Sequence, residues 1–440
     1  QFNAEDVVLT GDVNSNAISG TATTVNITGS AGGAEIQDAI DLAASGATIN
    51  IAAGAYNENV NVNKSVTLDG VGTADTIIDN SGVLFTVAAD DVRFQDMTLQ
   101  NASQGIRTYL PAGTIDNLQV NNVHFVDMSS RGIEIHNDTT MTNMSVADSL
   151  FQDTGVGIRL SSSAVGNGID ITTSIFDGGT LGFYQSNDGS TGNVRDLQIS
   201  GTTFRNFTDT AVFAEEIRDS AIDDNIFEDN RRDFTLFKAY TTAGTPVENL
   251  QIINNEMTNS AQTAVIIYVT GSGLGSGIDI SNNTITSDVG LLLDERGKID
   301  IYLEATESHS PINITENSIT FSGTFAAAEA VYGIKVRGGS DSINIERNTL
   351  DGGGVGSNGG TPLTSGIYVR TNDAGMGAIS SSAVINVLNN FITGFDAAVS
   401  VHDQVSGQFG GLTAGAQLNV NNNSIAGNAA GITSGTGGLV

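Results

Sequence analysis

Apolar residues recur along most of the chain in one fixed spacing. The order is apolar, any, apolar, any, any, small residue or Asn, any, large apolar. It reads Leu118-Val120-Val123-Phe125, then Met144-Val146-Ser149-Phe151, Ile169-Ile171-Ser174-Phe176 and Leu197-Ile199-Thr202-Phe204. A weaker copy, Ser220-Ile222-Asn225-Phe227, leads into Leu250-Ile252-Asn255-Met257, Ile278-Ile280-Asn283-Ile285 and Ile312-Ile314-Asn317-Ile319. Ile343-Ile345-Asn348-Leu350, Ile385-Val387-Asn390-Ile392 and Leu418-Val420-Asn423-Ile425 complete the series, and Val92-Phe94-Met97-Leu99 is an earlier relative. From Val120 the copies advance by 26, 25, 28, 23, 30, 28, 34, 31, 42 and 33 residues. Fixed internal spacing with a variable step is what a solenoid of rigid strands and unequal loops produces.

Alternation places the first two apolar residues on one face of a strand. The small or Asn position is expected to turn the corner, because Asn tolerates left-handed backbone and bonds its neighbours. The large apolar residue then points inward from the next strand. Asn225, Asn255, Asn283, Asn317, Asn348, Asn390 and Asn423 fall in one register, so their amides are expected to bond one another as a ladder. A further strand opens at Gly105-Ile106, Gly132-Ile133, Gly157-Ile158, Gly333-Ile334 and Gly366-Ile367. Stacking like strands gives parallel sheets, and the crossover rule favours right-handed winding. The expected fold is all-β: a right-handed parallel β-helix of about 13 coils stacked at about 4.8 Å.

The start of the chain differs. Ile36, Ala39, Ile40 and Ala43 have helical spacing, and Ala47–Ile51, Val60–Val62 and Val66–Leu68 read as short strands. An amphipathic helix here would cover the open end of the first coil and hide its edge. The segment IQDAIDLAASGATINIAAGAYNENVNVNKSVTLDG resembles the opening of the pectin-lyase-like superfamily, through Ile49, Gly54, Tyr56, Glu58, Val60, Lys64, Val66, Leu68 and Gly70. With the generic repeat of the later coils, the resemblance runs from about residue 34 to 432. It implies a parallel β-helix behind an N-terminal capping helix. It implies no single activity, since the superfamily holds lyases, hydrolases, esterases, epimerases, tailspikes and adhesins.

Four segments follow: an arm over 1–33 with strand-like Val7–Leu9 and Thr24–Ile27, a capping helix and first coils over 34–70, the β-helix over 71–432, and a Gly-rich end over 433–440. The arm is expected to lie along the solenoid or to pair with a neighbour. No second capping helix is legible. The uncharged stretch 426–440 therefore suggests a chain cut from a longer protein, or an end that joins a partner. Gly-rich insertions at 351–364, 371–383 and 404–416 are expected to be loops.

Charge narrows the partners. Seventeen Lys and Arg against 49 Asp and Glu leave a net charge of −32, which repels nucleic acid and anionic membranes. With no Cys, disulfides and thiolate metal sites are excluded. No apolar run is long enough to cross a membrane as a helix. No signal peptide is legible, which leaves open a chain that begins after its removal. Absent cysteine and an acidic, Lys-poor composition fit an extracellular or cell-surface setting.

The outward residues of the Gly-opened strand carry the candidate chemistry. With Ile301, Ile334, Ile367 and Val399 taken as inward, Tyr302, Lys335, Tyr368 and Ser400 form one outward column, and Glu304, Arg337, Arg370 and His402 the next. Earlier coils add Arg107, Glu134, Arg159, Tyr184 and Lys238, beside Tyr109, His136, Glu215 and Tyr240. A row of Arg, Lys and Tyr suits an anionic polysaccharide, with forks on carboxylates and rings on sugar faces. Tyr302, Glu304, Lys335, Arg337, Tyr368 and Arg370 are the candidate glycan-binding residues. Lys335, Arg337, Tyr368, Arg370 and His402 are the catalytic candidates if the chain is a uronan lyase or epimerase. The same residues also suit ordinary cross-strand pairs, such as Glu304 with Arg337.

Other signals are weaker. The polygalacturonase and mannuronan epimerase signatures and the Gly-Gly-x-Gly-x-Asp calcium repeat are missing. His124, His136, His309 and His402 are dispersed, and His124 reads as a solvated turn residue. Asp90-Asp91 and Asp223-Asp224 are turn pairs that at most hold Ca²⁺ loosely; no other cofactor is implied. Asn26, Asn137 and Asn206 match glycosylation sequons at a frequency chance supplies. The leading expectation is an extracellular structural or adhesive solenoid that self-associates in a surface layer, filament or adhesin. The alternatives are a polysaccharide lyase or epimerase and a non-catalytic glycan-binding module.

Overall fold

The computed structural model describes residues 4–11, 13, 18–30, 35–109, 113–186, 192–238, 247–269, 277–288, 297–303, 311–322, 331–338, 342–353, 364–373, 377–378, 382–403, 416–428 and 430–433. At 371–373, 377–378, 403 and 430–433 the description is of the backbone alone. The chain forms two compact units, Gln1–Thr203 and Phe204–Val440. Each is a right-handed parallel β-helix. A first sheet receives the strands of the apolar template, and a second sheet receives the strand that follows.

The register follows the template. In unit 1, Val120 is level with Val146, and Val146 with Ile171. In unit 2, Ile222, Ile252, Ile280, Ile314, Ile345, Val387 and Val420 form one vertical row. Phe125, Phe151 and Phe176 stack at 4.5 and 4.3 Å between ring centroids. These rings explain Gly105, Gly132 and Gly157, which open the second-sheet strands of unit 1. A Cβ on Gly132 would lie 2.6 Å from the Phe151 ring and 2.7 Å from the Gly157 carbonyl.

The corner is held from inside. Asn255 Nδ2 donates to Asn283 Oδ1 at 2.9 Å and to the Ile222 carbonyl at 2.9 Å, while its backbone N–H reaches the same Asn283 oxygen at 3.0 Å. Asn283, Asn317 and Asn348 repeat these contacts, and Asn390 donates in the same way to Asn423. Unit 1 uses hydroxyls instead. Val123 N–H donates to Ser149 Oγ and Ser149 N–H to Ser174 Oγ, both at 3.2 Å. The expected reason for Asn is corrected on one point. The left-handed residue is the one before the ladder position: Asp224, Asn254, Asn282, Glu316, Arg347, Asn389 and Asn422, with φ from 56 to 61°. Glu316 and Arg347 show that this backbone position does not require Asn. The ladder position needs a donor and an acceptor on one buried side chain, which an Asn amide supplies in unit 2 and a Ser hydroxyl in unit 1.

The helix spans Ile36–Leu42 and buries Ile36, Ala39, Ile40 and Leu42. It has no side-chain cap of its own. Glu58 instead accepts the Ile36 and Gln37 N–H groups at 2.7 and 3.1 Å, and burial pushes its carboxyl above the usual value. Lys64 Nζ closes the other end on the carbonyls of Ile40, Asp41 and Ala43, each at 2.9 Å. Edge cover is partial. Gln37 bonds both the N–H and the carbonyl of Asn61 on the strand Val60–Val62 of the second sheet. The first sheet continues past the helix, because Asp6–Leu9 pairs with Ala22–Ile27 and that strand with Ala43–Ile51. The arm thus adds rungs to unit 1.

Two single-residue expectations change. His124 lies on the strand Gln119–Val126, half-buried, and burial holds its imidazole below the usual value. Lys238 is on the inward face, 3% exposed, with Nζ 3.5 Å from Glu216 Oε1. The strand Arg232–Lys238 keeps strict alternation through Phe234, Leu236 and Lys238, so its last residue falls inside. The insertions expected at 351–364, 371–383 and 404–416 lie largely outside the described residues, as does His309.

Unit 2 buries a second charged group. Asp233 and Lys298 stand where the glycines open other strands, and they are 0 and 1% exposed. Asp233 Oδ1 accepts from Asn230 Nδ2 at 3.0 Å and Oδ2 from the Ser260 hydroxyl; Lys298 Nζ donates to the Ser260 carbonyl at 2.6 Å. Burial pushes the carboxyl up to about 7 and the ammonium down to about 7.

Two outcomes follow. Asn283→Ala strips the ladder of a donor and an acceptor and leaves the Asn255 backbone N–H and one of its amide hydrogens without their acceptor, so urea unfolding should show a loss of about 3 kcal/mol. For the buried pair, the folded state holds a proton that the unfolded chain has released between 3.8 and about 7, so stability falls as pH rises there. From about 7 to 10.5 the folded state has shed a proton that the unfolded chain keeps, so stability rises. The pair should therefore produce a stability dip near neutrality. The dip should vanish in Asp233→Ala with Lys298→Met, while Lys298→Met alone costs roughly 3 kcal/mol.

Candidate functional site

Unit 2 carries a groove of about 460 Å³ on the outward face of its second sheet. Its walls come from four strands: Thr210–Ala214, Arg232–Lys238, Thr263–Val269 and Gly297–Leu303, with Arg337 from Tyr332–Gly338 and Glu215 just beyond the first strand. Phe237, Tyr268, Tyr302 and Arg337 are level on successive strands. Phe237 stacks on Tyr268 at 4.6 Å, Tyr302 is tilted by 44° against Tyr268 at 4.5 Å, and the Arg337 guanidinium lies 4.2 Å over the Tyr302 ring.

This geometry corrects the expected use of the rings. Phe237 and Tyr268 turn their faces to each other and Tyr302 turns a face to Arg337, so these faces are taken by neighbouring side chains. The cations are also engaged. Arg337 clasps Asp300 through Nη2 to both oxygens at 3.0 and 2.9 Å, with Nε at 3.2 Å, and Asp300 is 0% exposed. Arg232 reaches Asp209 at 2.7 Å and Gln262 at 2.8 Å. With Glu215 also in the wall, the groove carries no surplus positive charge.

The two expected outward columns shift in register. Ile299, not Ile301, is level with Ile334, so Asp300 precedes Lys335, Tyr368 and Ser400 in one row. Tyr302 precedes Arg337, Arg370 and His402 in the other. The cause is the run Ile299-Asp300-Ile301-Tyr302-Leu303, whose alternation is unchanged by a slip of two residues. Glu304 lies outside the described residues.

Tyr302 and Arg337 therefore line the groove. Lys335 and Tyr368 are 2 and 7% exposed and pack with Tyr332, its ring 4.3 Å from Tyr368 and 5.0 Å from Lys335 Nζ. Arg370 and His402 approach the Tyr368 ring at 6.0 and 6.1 Å. Four of the catalytic candidates thus meet as a cation–aromatic cluster, apart from the groove lining. Tyr268, Phe237 and Phe213 escaped the sequence reading. Thr263–Val269 is an almost unbroken apolar run, so alternation cannot say which of its side chains face out. Asp90 and Asp91 accept hydrogen bonds from the Asp116 N–H and the Asn117 amide. Among the described residues no three His, Cys, Asp or Glu side chains are grouped to hold a metal ion.

No protein-family model matches the chain, and no curated protein sequence does. Solved structures do. The chain is similar to a DFA-IIIase from Arthrobacter chlorophenolicus A6 without its lid, at 14% identity and a TM-score of 0.50 over 88% of this chain and 94% of that one. It is also similar to the periplasmic alginate epimerase AlgG, at 11% identity and a TM-score of 0.44 over 86% and 77%. A third is the A-module of the Azotobacter vinelandii mannuronan C-5 epimerase AlgE4, at 14% identity and a TM-score of 0.33 over 89% and 90%. The likeness is one of fold: a right-handed parallel β-helix.

Arg337→Ala should act mainly on stability. It strands the buried Asp300 carboxylate and should cost about 3–5 kcal/mol in urea unfolding. Arg337→Met with Asp300→Leu should recover most of that loss, because the buried charge goes with its partner.

Proposed function

We propose that the chain is an extracellular, cell-surface glycan-recognition module that holds a linear, hydroxyl-rich polysaccharide in the Tyr268–Tyr302 groove of unit 2. The groove itself carries the reading: aromatic and charged side chains follow one another from strand to strand at about 4.8 Å. A linear sugar chain repeats its hydroxyls on a similar scale. The volume is that of a ligand site. Because Arg337 and Arg232 are engaged by Asp300 and Asp209, the groove favours neutral sugars over uronates. Catalysis as a lyase or epimerase is the less favoured reading, since Lys335 and Tyr368 are buried away from the lining. Adhesion, with self-association of the solenoid, is the biological role that fits a long glycan-holding surface.

Retention of neutral and uronate oligosaccharides on an array tests this. Tyr268→Ala and Tyr302→Ala should each weaken neutral-glycan retention by about tenfold while the folded protein persists in circular dichroism. If no glycan is retained, or if both variants retain it unchanged, the reading is wrong. Release of unsaturated ends or inversion of sugar protons in the same mixtures would replace it with the enzymatic reading.

A further inference from the structure

Unit 1 gathers positive charge on the outward face of its second sheet. Arg107, Glu134, Arg159 and Tyr184 are level on the successive strands Gln104–Thr108, Arg131–Ile135, Val156–Leu160 and Leu181–Gln185. Arg131 opens the middle strand, with Nη1 3.2 Å from Glu134 Oε1. The Ser161 hydroxyl donates to the same oxygen at 2.8 Å, and Glu134 is only 4% exposed. This one carboxylate is therefore fixed, and it is engaged by Arg131.

Arg107 and Arg159 flank it from the strands on either side, and neither has an ion-pair partner among the described residues. Each guanidinium lies against a ring instead: Arg107 at 4.8 Å over Tyr109, and Arg159 at 5.7 Å over Tyr184. The Nε of all three arginines is buried without an acceptor. Burial pushes the Arg131 guanidinium below its usual value; Glu134 opposes the shift, and Arg159 and Arg107 add to it. Arg131 thus feels the two cations beside it. Ordinary surface pairing would match each Arg with a carboxylate, and acidic residues are abundant in a chain of net charge −32. Here three guanidiniums surround one carboxylate, leaving two positive charges and several N–H donors uncommitted.

The geometry points to a receptor for a tetrahedral oxyanion, a sulfate or phosphate group, free or esterified on a sugar. A planar carboxylate has two oxygens and suits one fork. A tetrahedral anion offers oxygens to forks arriving from three adjacent strands. Tyr109, 41% exposed and edge-on to His136 at 5.1 Å, supplies a wall for whatever carries the anion. The site shares no residue with the groove of unit 2 and does not depend on the function proposed for it.

Calorimetric titration of the full chain at low ionic strength tests this, using inorganic sulfate, inorganic phosphate, glucose 6-sulfate and glucuronate. Sulfate and phosphate should bind and raise Tm, and glucuronate should bind about tenfold more weakly. Arg107→Gln with Arg159→Gln should weaken sulfate by about tenfold or more, and Tyr302→Ala should leave it unchanged. If the double variant fails to fold, Arg107→Lys keeps the charge, loses the fork and should still weaken binding. Tighter binding of glucose 6-sulfate than of sulfate identifies an ester as the ligand; equal binding identifies the free ion. Absent binding, affinity unchanged in the Arg variants, or glucuronate equal to sulfate would overturn the assignment.

Discussion

Everything in this molecule depends on the hydrogen bonding of identical positions in successive coils. Parallel strands supply the backbone part of it. The corner supplies the rest, where a buried Asn amide both gives to and takes from the coils beside it, as Asn255, Asn283 and Asn317 do. A buried amide without those partners is costly, so the ladder is tolerated only in register. Register in turn decides which side chains become neighbours on the outer face. The Phe237–Tyr268–Tyr302–Arg337 stack and the Arg107–Glu134–Arg159 row are consequences of it.

Much of this was legible from spacing alone. The template residues are separated by fixed numbers of positions, and a core-facing strand cannot slip by one residue without exposing its apolar set. That is why Val146 and Ile171 were placed one above the other correctly. A slip of two is invisible to alternation, and there the reading failed. The run Ile299–Leu303 fits either frame, so Tyr302 was set beside Lys335 when it belongs beside Arg337. Thr263–Val269 hid Tyr268 because an apolar run has no outward face to read. The corner was read one residue late, since Asn occurs at both positions and only the backbone distinguishes them.

Charge was the least legible property. Composition said that the chain is acidic, and the outward columns said where its cations gather. Neither could say which cations are already engaged. Arg337 looked like a ligand-binding fork, yet a buried Asp300 occupies it. Arg107 and Arg159 looked like members of a mixed column, yet their flanking carboxylate is held by Arg131 and Ser161. The same residue types therefore play opposite parts in the two units, and the difference lies in the partner rather than the residue. Lys238, Asp233 and Lys298 carry the point into the core, where charge sits at positions that periodicity assigns to apolar or small side chains.

The most direct measurement is methyl–methyl nuclear Overhauser contact in a sample with labelled Ile methyls. The account requires cross-peaks linking Ile252 to Ile280, Ile280 to Ile314 and Ile314 to Ile345, one coil at a time. Their absence, or contacts from Ile280 to residues two positions out of register, would contradict the stacking on which the ladder and both outer surfaces rest.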